Sequence, residues 1–511
     1  MADVASRPRW VKVLDQTRCI GCHACTVACK SENEVPVGVT RTYVKSVEIG
    51  LFPEARRAFQ VTRCNQCEEA PCVEACPTGA MYRRPDGIVD FDKRVCIGCK
   101  ACMAACPYDA IFINPEDHSA EKCNFCAHRL DLGLEPACAV VCPVEAIVVG
   151  DLADPASKVA RLVHRSPVAV RRPEKETRPG VFYRGADHAT LDPLAAARPR
   201  GAIYAWAGQG KAGQGKAGQG KVAAGHPRRH NSQAAAIVSY DVPHEAPWGW
   251  RVSLYTWTKG IAAGAYLAPL VLVLAGRLAW SSTLFRWTAP AVALVLLAAT
   301  GGLLVWDLKH PFRFWMLFVR PQWRSWLVRG GVIITAYGAA LVAALGASAA
   351  GAVRAEEVVA GFGLPLAVLT AGYTAYLFAQ ARGRDLWQSQ LLAPHLLVQA
   401  LMVGAAASLL AMISTGRPGT AIADLLAATA ALHLVMVAGE AMPTHPTAHA
   451  HLAVTEMVRG RFAPFFWAGL AFSVLAVSAP WTGAFGAAAA LLGVAAHKHA
   501  YVQAGQAVPL A

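Results

Sequence analysis

The sequence predicts an α+β chain whose polar first part is followed by an all-α membrane domain. Three observations support this class. All sixteen cysteines of the 511 residues lie between Cys19 and Cys142. Beyond residue 250 the chain is a series of long apolar runs separated by short polar stretches. Charged residues make up only 16% of the whole chain, against roughly 25% in ordinary soluble domains. We therefore expect a soluble head joined to a membrane body.

The two parts are joined by a stretch of low complexity. Residues Ala207–Lys221 are three copies of the pentamer AGQGK. Such a composition cannot bury a core, so we expect a flexible linker rich in Gly, Ala, Lys and Gln over 201–247. The expected domains are then 1–200 and 248–511, and the linker is typical of a fusion between two chains.

Charge and cysteine usage exclude several classes. The net charge of +14 does not form a basic stripe interleaved with aromatic residues, so we expect no nucleic-acid partner. An even number of cysteines is compatible with disulfides, but disulfides have no reason to repeat a ligand pattern four times. Residues Met1–Arg18 contain no apolar core of a secretory signal.

The cysteine spacing is the most specific signal in the sequence. Residues Cys96–Pro107 read CIGCKACMAACP, which is C-x2-C-x2-C-x3-C followed by proline. Thiolates at this spacing bind 4Fe–4S clusters, with three ligands from one loop and the fourth contributed to another cluster. Sixteen thiolates in four groups match four such clusters. A zinc-bound module would require the pattern to be coincidental. The groups are Cys19, Cys22, Cys25 and Cys29; Cys64, Cys67, Cys72 and Cys76; Cys96, Cys99, Cys102 and Cys106; and Cys123, Cys126, Cys138 and Cys142.

Short strand-like runs such as Ile88–Phe91 and Ala146–Val149 separate these groups. Two-cluster ferredoxins show this pattern, so we expect a doubled ferredoxin-like fold with four clusters. The order and gaps of the groups resemble the iron–sulfur electron-transfer subunit of the DMSO reductase and polysulfide reductase type.

That resemblance implies which cysteines share a cluster. The first group exchanges its last ligand with the fourth group, and the second group does so with the third. The implied sets are Cys19, Cys22, Cys25 and Cys142; Cys123, Cys126, Cys138 and Cys29; Cys64, Cys67, Cys72 and Cys106; and Cys96, Cys99, Cys102 and Cys76.

The second part of the chain predicts about eight transmembrane helices. A helix needs about 20 apolar residues to cross a hydrocarbon core of roughly 30 Å. The last two candidates are short and nearly continuous. The segments are 253–275, 288–306, 330–350, 358–380, 391–414, 419–440, 463–481 and 482–500.

Loop charge predicts the orientation. Eight crossings place both ends of this part on one side. Of the sixteen Lys and Arg residues from Arg251 onward, twelve fall on that side, and only Arg277, Arg286, Arg354 and Arg417 fall on the other. The positive-inside rule then predicts a bacterial cytoplasmic (inner) membrane protein with its head on the cytoplasmic face. The alternative is the periplasmic face, reached with a partner's export signal.

Polar residues in these segments carry a second resemblance. The opening Lys259–Ala265, the loop Trp306–Gly330 and the close Ala504–Gln506 resemble the NrfD/polysulfide reductase membrane-anchor family, which binds quinone rather than haem. We expect menaquinone or ubiquinone and no haem, although His395 and His433 are possible axial ligands. Ionisable groups at membrane depth are costly and usually functional. The candidates for the quinone site are Lys259, Asp307, His310, His395, His433 and Glu440.

Together the resemblances imply a subunit that passes electrons between membrane quinone and a molybdopterin (Mo or W) catalytic subunit. The substrate chemistry would lie on that partner, while this chain would hold a quinone oxidoreductase site. The alternatives are the same role for a nickel–iron hydrogenase or a cytochrome-linked quinol-oxidising complex. Proton translocation through Asp424, Glu440 or His433 is a further alternative.

Overall fold

The computed structural model describes residues 8–198, 235–417, 419–442 and 444–511. The pentamer repeat and most of the expected linker lie outside these residues. The chain divides into two compact units, which we call the cysteine-rich unit and the helical unit. The first comprises Met1–Pro247, Ala381–Gly383 and Pro509–Ala511, and the second comprises Trp248–Gln380 and Arg384–Val508.

Four small sheets form the framework of the cysteine-rich unit among the described residues. Their orders are β8-β1-β10-β9, β11-β2-β3, β4-β5 and β6-β7, with β1 and β10 parallel and the other pairs antiparallel. The strands are β1 Trp10–Asp15, β2 Thr42–Ile49, β3 Arg56–Arg63, β4 Met81–Arg83, β5 Val89–Phe91, β6 Ile111–Ile113, β7 Ala120–Lys122, β8 Ile147–Asp151, β9 Val168–Ala169, β10 Val181–Arg184 and β11 Ala236–Tyr240.

The expected strands at 88–91 and 146–149 are confirmed as β5 and β8. Strand β11 lies inside the stretch expected to be a linker. Its sequence AIVSY begins with three apolar residues, and it pairs with β2 through Ala236 and Val238, which are buried while Ile237 between them is less so. Ordered structure therefore resumes before residue 248.

Short helices lie between the strands, and some of them carry cysteines. Helix α3 ends at the last cysteine of its group, and the hairpins β4-β5 and β6-β7 each follow a completed cysteine group. This α+β arrangement agrees with the expected class, while a doubled ferredoxin-like fold stays a prediction. The helices are α1 Ala24–Glu32, α2 Pro71–Ala75, α3 Ala101–Ala105, α4 Ala127–Leu130, α5 Ala137–Val140, α6 Lys158–Arg165 and α7 His188–Leu191.

The helical unit is built from long apolar helices joined by short turns. A π-helical turn at Leu284–Thr288 leads into α9. The helices are α8 Trp250–Leu274, α9 Ala289–Asp307, α10 Met316–Val319, α11 Trp326–Ala349, α12 Val353–Ala379, α13 Leu392–Ser414, α14 Thr420–Ala441, α15 Ala448–Val458, α16 Ala463–Ala476, α17 Ala479–Thr482 and α18 Ala484–Gly505.

Six helices of the described chain are long and apolar enough to cross a membrane: α8, α9 with its π-helical turn, and α11 to α14. They coincide with the first six expected segments. The expected count of eight is not confirmed. The seventh segment is interrupted after Ala476, leaving α16 with 14 residues, and the eighth corresponds to α18, whose apolar run is broken by His497, Lys498 and His499.

Two glycines allow α8 and α13 to cross at backbone contact. A Cβ atom on Gly264 would lie 1.8 Å from the carbonyl oxygen of Ala400, and one on Gly404 would lie 2.0 Å from the carbonyl carbon of Gly264. Neither separation is possible for a real side chain. Glycine is therefore required at both positions for the two helices to pack this closely.

Candidate functional site

The sixteen cysteines gather into four sets of four, each named here by one member. Cavities are lined by the cysteines of three sets. In the fourth, the side-chain amide of Asn33 lies within 3.7 Å of both Cys29 Sγ and Cys126 Sγ, and Cys123 and Cys138 lie near enough to Cys29 to influence its ionisation. These sets coincide with those that the resemblance implies. They are the Cys19 set (Cys19, Cys22, Cys25, Cys142), the Cys64 set (Cys64, Cys67, Cys72, Cys106), the Cys96 set (Cys76, Cys96, Cys99, Cys102) and the Cys138 set (Cys29, Cys123, Cys126, Cys138).

Matching backbone turns shape the loops of the first and third groups. Gly21 and Gly98, each two residues after the first cysteine, have φ of 71° and 68°. His23 and Lys100, two residues further on, have φ of 60° and 62°. Glycine suits the first position because it adopts positive φ without steric cost. The repeated motif thus encodes a repeated loop.

The chemistry of these sets fits iron–sulfur clusters. Soft thiolate donors favour such clusters and zinc, and the C-x2-C-x2-C-x3-C spacing selects the former. Burial raises the pKa of Cys29 to about 12 and that of Cys67 to about 12. Such thiols keep their protons at neutral pH unless a bound metal replaces them. Buried thiols with convergent sulfurs are therefore better explained by metal binding than by free thiol chemistry.

Two cations distinguish the Cys138 set. The Nζ atom of Lys12 lies 3.8 Å from Cys138 Sγ, and Nη1 of Arg63 lies 3.1 Å from the same sulfur. Burial opposes ionisation of this thiol, but Arg63 and Lys12 outweigh it and lower the pKa of Cys138 to about 7. The side-chain amide of Asn33 also reaches Cys29 Sγ at 3.6 Å and Cys126 Sγ at 3.7 Å.

The helical unit contains a buried cavity with a polar lining. Phe378, Leu392, Leu396 and Val502 supply its apolar wall. An apolar cavity with a few convergent polar groups is typical of a small-molecule site. The polar lining residues are Thr256, Thr374, His395, Gln399, Glu440, His497, Lys498 and Tyr501.

His395 is the centre of a hydrogen-bonded network in this cavity. Its Nδ1 lies 2.9 Å from Glu440 Oε1, and its Nε2 lies 2.8 Å from Nδ1 of His433 and 3.1 Å from Nε2 of Gln399. With Glu440 ionised, His395 donates from Nδ1 and accepts at Nε2. Among the described residues, Glu440 Oε2 and Gln399 Oε1 have no partner. Both oxygens remain available to accept a hydrogen bond from a ligand.

Two other interpretations of these histidines fit less well. An axial haem pair requires iron and a macrocycle between its rings, whereas His395 and His433 are directly hydrogen-bonded here. His395, Glu440 and His497 place possible ligand atoms within 4.8 Å of one another, as a metal site would. However, both nitrogens of His395 already have partners, and Lys498 would repel a dication in the same cavity.

Lys259 lies beside this cavity, on α8. Its side chain is buried, its Nζ lies 4.1 Å above the ring of Tyr373, and it donates to the carbonyl oxygen of Ala371 at 3.3 Å. It also donates to Oγ1 of Thr374, which lines the cavity. Lys259 therefore contacts the wall of the cavity through Thr374.

Not every residue expected at the quinone site lies at this cavity. Asp307 ends α9 and His310 precedes a 3₁₀ turn at Pro311–Arg313, and neither lines the cavity. Conversely, sequence reasoning missed His497 and Lys498 on α18. The signal was present, because two ionisable residues follow the apolar run that begins at Ala484.

Comparison with known proteins agrees with both units. The profile of the 4Fe-4S dicluster domain matches residues 56–152. The profile of the family described as polysulphide reductase, NrfD, matches residues 239–509, more than half of the chain. With its candidate spans, the latter match makes the chain a multi-pass membrane protein.

Curated relatives match the cysteine-rich part. A tetrathionate reductase subunit of Salmonella typhimurium is 44% identical over 192 residues, which are 37% of this chain and 77% of the relative. A polysulfide reductase subunit of Wolinella succinogenes is 42% identical over 171 residues, 33% of this chain and 90% of the relative. The thiosulfate reductase electron transfer subunit of Salmonella typhi is 47% identical over 163 residues, which are 31% of this chain and 84% of the relative. The chain therefore belongs to the NrfD polysulphide reductase family, and it carries the family's membrane domain fused to an iron–sulfur domain of the kind found in the electron-transfer subunits of these reductases.

Proposed function

We propose that this chain carries electrons between the quinone pool of a bacterial inner membrane and a molybdopterin (Mo or W) catalytic subunit. The observation that carries the proposal is the gathering of sixteen cysteines into four sets of four. Each set would hold one 4Fe–4S cluster, which supplies one-electron transfer. The names of the relatives support a reductase complex as the setting.

The cavity around His395 is the proposed quinone site. A quinol needs acceptors for its hydroxyl protons, and Glu440 and Gln399 offer unpartnered oxygens. A quinone needs donors for its carbonyl oxygens, and Lys498 is a donor in the same lining. His433 extends the network by one hydrogen bond, and Lys259 supports Thr374 in the wall. Asp307 and His310 have no comparable support.

The domain organisation and location are part of the same proposal. The head would occupy 1–200, the linker 201–247 and the quinone-binding membrane domain 248–511. The loop charges favour a cytoplasmic head, with a periplasmic head as the alternative. The bilayer and the quinone pool are then direct partners, and the catalytic subunit binds from the side of the head.

Metal analysis of the complex purified from its native membrane in mild detergent tests this proposal. We expect about sixteen iron atoms per chain, four for each of four clusters, together with molybdenum or tungsten. Nickel in place of these metals would indicate a hydrogenase, and iron alone would indicate a cytochrome-linked quinol-oxidising complex. Zinc in place of iron would contradict electron transfer altogether.

A second candidate function is proton translocation. It is favoured by the continuous chain of hydrogen bonds from Glu440 through His395 to His433 in the helical unit. Asp424 offers no support, because it is largely exposed and lies 3.5 Å from Arg277. In liposomes containing the complex, turnover should change the internal pH of the wild type, whereas Glu440→Gln at the same rate of electron transfer should not. No pH change in the wild type would exclude this function.

A further inference from the structure

Two buried cations lie against a single thiol of the cysteine-rich unit. Lys12 on β1 is 1% exposed, and Arg63 at the end of β3 is 2% exposed. Their nitrogens lie 3.8 and 3.1 Å from Cys138 Sγ. Both positive charges are therefore directed at the Cys138 set from inside the protein, where little water screens them.

Neither cation forms an ion pair with a carboxylate of the described residues. Among the described residues, Nε and Nη2 of Arg63 have no hydrogen-bond partner. The Nζ atom of Lys12 lies 4.1 Å from the centre of the Phe125 ring, a weak substitute for a carboxylate. Burying a cation without a counter-charge costs several kcal/mol. An anionic four-thiolate cluster in the Cys138 set would supply the missing charge.

The other sets show a different environment. Cys142 and Cys76 accept hydrogen bonds from the backbone N–H groups of Ala146 and Met81, at 3.2 and 3.3 Å. Arg63 also acts on Cys25 of the Cys19 set, but Cys22 of that set is exposed, so water weakens the effect of a charge there. Lys122 is also buried and its charge acts on Cys72 and Cys67 of the Cys64 set, but it donates to the carbonyl oxygens of Val89 and Cys123 and to no sulfur of the described residues.

Reduction adds one electron, and so one negative charge, to a cluster. A buried cation close to a ligand sulfur stabilises the reduced form more than the oxidised form. We propose that Lys12 and Arg63 raise the reduction potential of the cluster in the Cys138 set above those of the other three. That cluster is then the first to accept an electron from quinol or from the catalytic subunit. The inference rests on the proposed function, because it requires the clusters.

A potentiometric titration of the full chain in mild detergent, followed by electron paramagnetic resonance, tests the inference. Lys12→Met removes the charge at nearly constant length, whereas Lys12→Arg keeps it. Lys158→Met is the matched control, because Lys158 is 57% exposed and pairs with Glu145 at the surface. In Lys12→Met, the reduced-to-oxidised ratio of one cluster at a fixed potential should fall by at least about tenfold. The other clusters and the two other variants should keep wild-type values.

Further variants identify which cluster shifts, and they distinguish a failure of this inference from a failure of the proposed function. Arg63→Met should shift the same signal, and Cys126→Ser should alter that signal because Cys126 belongs to its ligand set. In Lys12→Met, a full complement of iron with four unchanged midpoint potentials, or a shift only in another signal, overturns the inference. A wild-type chain without iron instead refutes the proposed function. If Lys12→Met loses iron, the wild type alone tests the inference. The cluster with the highest reduction potential should then be the one whose signal Cys126→Ser alters, and any other assignment overturns the inference.

Discussion

One carboxylate oxygen of Glu440 is hydrogen-bonded to His395, and the other has no partner among the described residues. A ligand in the cavity can therefore bind this second oxygen directly. Glu440→Gln keeps the size of the side chain but removes its charge. Hydrogen bonds to charged groups contribute roughly 1.5–3 kcal/mol. We therefore expect the affinity for a quinone analogue to fall about tenfold or more, measured by equilibrium titration of the purified chain.

His451→Ala is the matched control for this titration, because His451 is an exposed histidine on α15. It should bind the analogue as the wild type does. His310→Ala should also leave binding unchanged, since His310 does not line the cavity. Weaker binding in His310→Ala, with normal binding in Glu440→Gln, would move the quinone site to the loop after α9.

His244 provides a second prediction at this scale, in the cysteine-rich unit. Its Nδ1 lies 2.7 Å from Asp109 Oδ2, and its Nε2 lies 3.3 Å from Asp241 Oδ1. Burial would lower the pKa of His244, but Asp241 and Asp109 outweigh burial and raise it to about 9. Burial would raise the pKa of Asp241, but His244, Arg198 and Lys45 lower it to about 2.

The direction of each shift gives the pH dependence. A histidine whose folded-state pKa is raised stabilises the fold fully below its unfolded pKa of about 6.5 and loses this effect as the pH rises through 9. The depressed carboxyl of Asp241 stabilises above about 4 and loses its effect as the pH falls through 2. His244→Gln should therefore lower the free energy of unfolding by about 2 kcal/mol at pH 6 and by much less at pH 9.5.

Calorimetry of the full chain in detergent at both pH values measures this difference as a shift in Tm of the cysteine-rich unit. His188→Gln is the control, because the His188 side chain is 81% exposed and its nearest carboxylate oxygen, on Asp192, is 3.9 Å away. An equal loss of stability in His244→Gln at pH 6 and pH 9.5 would mean that the ion pairs are not responsible.

At the scale of the element, the crossing of α8 and α13 depends on glycine. A Cβ at Gly404 would lie 2.0 Å from the carbonyl carbon and 2.1 Å from the carbonyl oxygen of Gly264, and backbone atoms cannot move aside as a flexible side chain can. Gly404→Ala should force the helices apart at a cost of about 3 kcal/mol or more, the upper range for overpacking. The expected result is a lower Tm of the helical unit and a lower yield of folded protein.

Gly372→Ala in α12 is the matched control. Nothing lies within 4 Å of a Cβ built at Gly372, and alanine is the better helix former by about 1 kcal/mol. This variant should be as stable as the wild type or slightly more stable. Similar destabilisation by both substitutions would show that the crossing does not determine the stability of the unit.

The sequence predicted local motifs, but mostly not which distant segments of the chain they contact. The spacing around Gly21 and Gly98 predicts the cysteine loops, because positive φ and ligand geometry are both local requirements. The exchange of Cys29 and Cys142 between groups depends on non-local folding, so it came from the resemblance alone. Strand β11 escaped prediction because its partner, β2, lies almost 200 residues earlier in the sequence.

For the whole molecule, hydropathy predicts six spans well and the end of the chain poorly. Each of the first six segments contains a long stretch of high mean hydropathy, so composition alone identifies them. In α18, His497 and Lys498 are 3% and 5% exposed, because they face the interior of the helical unit. Three consecutive ionisable residues, His497 to His499, interrupt the apolar run of α18, whereas the separated polar residues of α13 and α14 leave those helices apolar enough to be identified.

From the packing of α16 against α18, we expect both to cross the membrane. A Cβ on Gly469 would lie 2.9 Å from His497 N, and one on Gly493 would lie 2.8 Å from Ser473 Oγ, so the helices run closely side by side. Helix α18 has 22 residues, about 33 Å at 1.5 Å per residue. Helices α16 and α17 together cover a similar length, with a break after Ala476.

Reporter fusions test this count and the orientation together. If α16 with α17 crosses outward and α18 returns, alkaline phosphatase, which is active only outside the cytoplasm, should be active when fused after Gly416 or Gly483 and inactive after Ala511. The positive-inside rule sets the signs, because Arg417 is the single basic residue in its loop, whereas Lys309, Arg313, Arg320 and Arg324 share the loop before α11. An inactive fusion after Gly483 with an active one after Gly416 would leave six spans. Activity after Ala511 alone would instead reverse the orientation and place the iron–sulfur head in the periplasm.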